Sequence, residues 1–146
     1  MVMVNAHVDT SQGLDGEPVV LACFDLGDEE LAASAHAVTA TAERFRGAEM
    51  SVDDVVELRE LTALSDELAD LALRPGLRTV VLRPARLTVY RDAVARFVES
   101  RDEAEWVREE DREPLARVRA LLHPLEELCS DALRAALTGG TAPRPC

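Results

Sequence analysis

Residues 51–76, SVDDVVELRELTALSDELADLALRPG, constrain the fold more than any other stretch, because they carry the longest uninterrupted helical pattern in the chain. Leu58, Leu61, Leu64, Leu68 and Leu71 recur at threes and fours, which places them along one side of a helix. Val52, Val55 and Val56 widen that stripe over the first turns. Ser51 stands three residues before Asp54, a capping arrangement at the positive end of the helix, and Pro75-Gly76 supplies the stop. A chain organised this way folds by packing amphipathic helices against one another.

The rest of the composition agrees with a folded domain. At 146 residues with 47% hydrophobic and 30% charged side chains, residues 1–146 read as a single domain with an aliphatic core, since aromatics are only 3%. The net charge of −12 works against binding nucleic acid, where phosphate must be neutralised. VVLACF at 19–24 is the longest wholly apolar run and far too short to cross a bilayer, so no membrane partner is expected. The N-terminal residues lack a basic n-region followed by a long apolar stretch, so a cytoplasmic location is expected. Three cysteines, Cys23, Cys129 and Cys146, show no paired spacing. All 16 basic residues are arginine, as expected of a high-GC bacterial genome or of guanidinium forks wanted at packed or interfacial sites.

Read in order, residues 1–17 are extended or mobile, with weak alternation through Val2, Val4, Ala6 and Val8 and a loop at DTSQGLDGE. Short strands are expected at 18–24 and 77–82. A helix runs from Asp28 to about Arg46, where Gly47 ends it, and the short GAEMS connection favours an antiparallel helical hairpin. Pro84 suits the first position of another helix reaching Ser100; a hairpin pairing TVVL with LTVY is the rival for residues 79–90. Ser100 and Glu103 form a capping-box pattern for a short acidic helix carrying Trp106. Pro114 opens the last helix, Pro124 should kink or restart it at His123, and Gly139-Gly140 leads into a mobile tail at 139–146. The expected fold is mainly α: a small bundle of about five helices with one or two short strands.

Chemical signatures are sparse. No phosphate loop, dinucleotide fingerprint, nucleophile elbow or zinc-ligand spacing is present, so neither a catalytic residue nor a metal or cofactor is assigned, and the chain leans away from an enzyme. His123 precedes Glu126 and Glu127 by one helical turn, but Pro124 disturbs that turn, and His36 among small residues needs no special role. Carboxylates clustered at helix starts are explained by the helix dipole.

Two residue sets stand out. Leu61, Leu64, Leu68 and Leu71 match a heptad seam for two repeats, serving either the protein's own core or a dimer. Arg78, Arg83, Arg86 and Arg91 lie in a locally basic segment and could form an anion patch, although neighbouring acids within the fold are the simpler partners. The expected function is non-enzymatic: an acidic helical protein, regulatory or adaptor in kind, acting through another protein or a second copy of itself. The alternatives are an acidic antagonist of a basic partner, of the antitoxin or immunity type, and a small anionic-ligand binder or enzyme using the arginines of 78–91.

Overall fold

A computed structural model describes residues 3–46, 51–76 and 78–137 and contains seven elements. Strands β1 (Val4–Gln12) and β2 (Pro18–Leu26) come first, then helices α1 (Asp28–Arg46) and α2 (Val52–Ala72). Strand β3 (Arg78–Leu82) and helices α3 (Pro84–Asp102) and α4 (Glu109–Leu137) follow. The strands form one antiparallel sheet in the order β1-β2-β3.

The first hairpin corrects the expected loop at DTSQGLDGE, because Asp9–Gln12 belong to β1 and pair with Pro18–Leu21. The turn is confined to residues 13–17, where Gly13 N–H donates to the Glu17 carbonyl at 2.7 Å and Gly16 adopts a φ of 81°. The outer edge of β1 is solvated, so its polar second half needs no apolar alternation, and the pattern marks only the first half, through Val4, Ala6 and Val8. The register shifts between Val4 and His7, and within that bulge Asn5 has a φ of 55°.

Strand β2 is the middle strand, and its alternation separates two faces. Val20, Ala22, Phe24 and Leu26 are buried, as are Val80 and Leu82 of β3, and this face lies against α3 and α4. Helix α1 packs on α2, α3 and α4, and its buried Ala33, Ala37 and Ala42 permit close approach. Burying each large aliphatic side chain here contributes about 1.5–3 kcal/mol.

Helix α2 starts as the sequence predicts. Ser51 Oγ accepts from the Asp54 amide at 3.2 Å, and the Asp54 carboxylate accepts from the Ser51 amide at 3.1 Å. The helix ends at Ala72, before Pro75, and Gly76 takes a φ of 83°. Within 77–82 the described residues Arg78–Leu82 form a strand, and in place of the rival hairpin a helix follows it, with Pro84 at the start of α3.

Four helices, not about five, and three strands, not one or two, make up the described residues. The acidic helix expected after Ser100 is absent: Ser100 lies inside α3 and its hydroxyl donates to the Phe97 carbonyl at 2.9 Å instead of capping a new helix. Helix α4 begins at Glu109, ahead of Pro114, and passes Pro124 without a restart. Each proline removes one backbone hydrogen bond, but the buried stripe Leu115, Val118, Leu121, Leu125, Leu128 and Ala132 holds the helix on the core regardless. The GAEMS connection at 47–50 and the 139–146 tail lie outside the described residues, apart from Ser51. No helix among the described residues is long and apolar enough to cross a membrane.

Candidate functional site

Chemistry-bearing side chains converge on the outer face of the sheet, the side that α3 and α4 do not cover. The two-residue period of β1 puts His7 and Asp9 on that face, and the register places His7 opposite Cys23 and Asp9 opposite Leu21. His7 Nε2 lies 3.4 Å from Asp9 Oδ2, and the Cys23 thiol donates to the same oxygen at 3.6 Å. One donor atom from each of the three side chains lies within 4.8 Å of the other two.

A second layer of hydrogen bonds orients this cluster. His7 Nδ1 lies 2.7 Å from the Asn5 carbonyl oxygen. Asn5 Nδ2 donates to Asp25 Oδ2 at 2.9 Å, and Thr79 Oγ1 donates to Asp25 Oδ1 at 2.6 Å. The chain of contacts therefore crosses all three strands. The bond to the Asn5 carbonyl, reinforced by the charge of Asp9, raises the His7 pKa above its usual value. Burial, followed by the Asp9 charge, pushes the Cys23 thiol up. Hydrogen bonds from Thr79 and Asn5 hold the Asp25 carboxyl below the usual carboxylate range. Nitrogen, oxygen and sulfur donors thus meet at one point, with His7 and Asp9 exposed and Cys23 buried, a set able to coordinate a divalent metal.

The leucine seam lies elsewhere. Leu61, Leu64 and Leu68 are fully buried in the protein's own core, and Leu71 packs half-buried against it. Of the four arginines, Arg78 is buried and paired with Asp28. Arg86 reaches Glu60 at 2.8 Å and Glu67 at 3.7 Å, and Arg91 pairs with Asp92 at 2.8 Å. Arg83 is the N-cap residue of α3, without a side-chain cap bond. The acids of α1 and α2 thus take up much of the basic segment, as elsewhere Glu29 and Glu30 take up Arg117.

No protein-family model, curated protein or solved structure gives a significant match to this chain.

His7, Asp9 and Cys23 were not singled out by sequence reasoning. Their signal is present: HVD at 7–9 has strand period, and GLDG at 13–16 is a turn before the apolar β2. Assigning Asp9 to a loop hid it, because only the paired hairpin brings Cys23 across from His7. His36 was also underrated: its ring packs edge-on against Phe97 at 5.6 Å and bonds Asp111 at 2.7 Å. His123 faces solvent beside Glu127, 2.8 Å away.

Proposed function

We propose that the protein is a non-enzymatic acidic interaction protein, regulatory or adaptor in kind, and that it docks a basic protein partner through the first turns of α2. The observation that carries this reading is the exposed apolar stripe there. Val52, Val55 and Val56 are 81%, 43% and 55% exposed at the spacing of one helix face, although the same helix buries Leu61, Leu64 and Leu68. Asp53, Asp54 and Glu57 flank the stripe, with Arg59 the only cation within α2. A partner with an apolar centre and a basic rim is complementary to that surface, whereas a second copy would bring the same acids.

The remaining exposed acids of α2, Asp66, Glu67 and Asp70, favour the antagonist version of the same reading, in which the acidic helix covers a basic face. The internal ion pairs of Arg78, Arg86 and Arg91 weigh against an anion pocket built from them.

Affinity capture from the source cell with two parallel baits tests the proposal. One bait is the wild-type chain and the other carries Val52→Ser, Val55→Ser and Val56→Ser together. A protein retained by the first, lost by the second and released by salt supports it. Identical captures, or capture insensitive to salt, would overturn it. Light scattering on both chains identifies the competing occupant: a wild-type dimer that the triple variant abolishes means the stripe binds a second copy.

A further inference from the structure

We infer that His7, Asp9 and Cys23 form a coordination site for a tetrahedral divalent transition metal, Zn2+ by preference, with water in the fourth position. This goes beyond the docking reading and uses a different face of the molecule.

The spacing of the donors carries the argument. Zinc binds imidazole nitrogen, carboxylate oxygen and thiolate sulfur at about 2.0, 2.1 and 2.3 Å. At tetrahedral angles those lengths place nitrogen and oxygen about 3.4 Å apart and sulfur and oxygen about 3.6 Å apart. His7 Nε2 to Asp9 Oδ2 is 3.4 Å, and Cys23 Sγ to Asp9 Oδ2 is 3.6 Å. Two of the three donor separations therefore match a tetrahedral ion, and the third, between His7 and Cys23, lies within 4.8 Å.

The second observation is the state of His7. A carbonyl oxygen can only accept, so the 2.7 Å contact with Asn5 requires the proton on Nδ1. In the neutral ring Nε2 then carries the lone pair, and that atom is the one 3.4 Å from Asp9 Oδ2. Metal-bound histidines are held in this way, by an outer hydrogen bond from the other ring nitrogen. The positive φ of Asn5 presents that carbonyl, and Asp25, with one oxygen on Asn5 and the other on Thr79, anchors the Asn5 side chain. Asp25 is therefore a positioning residue and not a ligand.

Donor chemistry selects the ion. One sulfur, one nitrogen and one oxygen suit zinc and related first-row ions, and the sulfur disfavours Mg2+ and Ca2+. On binding, the Cys23 thiol releases its proton to solvent and coordinates as thiolate. Thiolate and carboxylate then balance the charge of the divalent ion. His7 and Asp9 have side chains 53% and 62% exposed, so the ion can reach the site from water.

Titration of the chelator-treated, reduced full-length protein with Co2+ tests this. A saturable one-to-one signal is expected, with a thiolate-to-cobalt charge-transfer band and intense tetrahedral visible bands, both removed by Zn2+. Cys23→Ser should abolish the charge-transfer band. His7→Gln and Asp9→Asn, at exposed positions that do not threaten folding, should each weaken binding at least about tenfold, and Asp25→Ala should weaken it by about tenfold through the outer shell. A Cys129→Ser/Cys146→Ser double variant should bind as the wild type does. No band in the wild type, a band that survives in Cys23→Ser, or one lost with Cys129 and Cys146 overturns the inference. Unchanged affinity in both His7→Gln and Asp9→Asn overturns it as well.

Discussion

His36 Nε2 lies 2.7 Å from Asp111 Oδ1 and ties the middle of α1 to the first turn of α4. Arg101 Nε donates to the other carboxylate oxygen at 2.9 Å, so three helices meet at one acid that is only 4% exposed. Burial alone would raise the Asp111 pKa. The hydrogen bonds from His36 and Arg101 outweigh it and hold the carboxyl below its ordinary 3.8.

Because the folded pKa is the lower one, this stabilisation is complete above pH 3.8 and is lost as pH falls through the folded value. Asp111→Asn should cost roughly 3 kcal/mol at neutral pH, the scale for breaking a buried pair. Urea midpoints measured from neutral pH into acid should show the gap between variant and wild type narrowing below about pH 4. A gap that stays constant to the acid limit would mean that Asp111 is not the titrating contributor.

Ser34 and Tyr90 share a buried hydroxyl–hydroxyl hydrogen bond beneath the stacked rings of Phe24 and Tyr90. Burial drives the Tyr90 pKa upward, and the Ser34 hydrogen bond opposes that shift only in part. Removing one partner strands the other, so Tyr90→Phe and Ser34→Ala should each cost about 1–3 kcal/mol. The double variant should cost less than the sum of the two. Chemical denaturation of all four chains gives the coupling energy; strict additivity would mean that the bond contributes nothing net.

Pro124 sits inside α4 with its turn on the core. Proline costs about 3 kcal/mol within a helix relative to alanine, part of which this helix has already absorbed by relaxation. Pro124→Ala is therefore expected to raise stability by about 1–3 kcal/mol, seen as a higher Tm with unchanged helical circular dichroism. A lower Tm would show that the ring's own packing outweighs the restored hydrogen bond.

Arg78 is buried with Nε and Nη1 unpartnered among the described residues, and its ion pair is to Asp28, whose side chain is 71% exposed. An unsatisfied buried guanidinium opposes folding, so Arg78→Met should leave stability unchanged or raise it by about 1–4 kcal/mol. Thermal denaturation decides; a loss of several kcal/mol would show that the Asp28 pair is net stabilising.

Leu64 and Val55 share α2 but not its environment: Leu64 is fully buried and Val55 is 43% exposed. Leu64→Ala should cost about 2–5 kcal/mol and Val55→Ala no more than about 0.5 kcal/mol. Equal costs in equilibrium unfolding would mean that the Val52–Val56 stripe is part of the core after all.

Local order determined much of this fold. The helical period and capping box of α2, the acidic start of α1, Pro84 at the head of α3 and the apolar run of β2 each have their causes within a few residues, and each lies where the sequence alone places it. Non-local pairing decided the rest. Strand β1 exists because β2 offers it a hydrogen-bonding edge, not because its own side chains demand it. Ser100 caps nothing, because Arg101 reaches Asp111 and stacks on Phe97 at 4.5 Å, carrying α3 onward. Pro114 and Pro124 remain in one helix because burial along the whole stripe outweighs two missing amides. The candidate metal centre depends on the same distinction: His7 and Asp9 are neighbours by strand period, but Cys23 joins them only through the hairpin register.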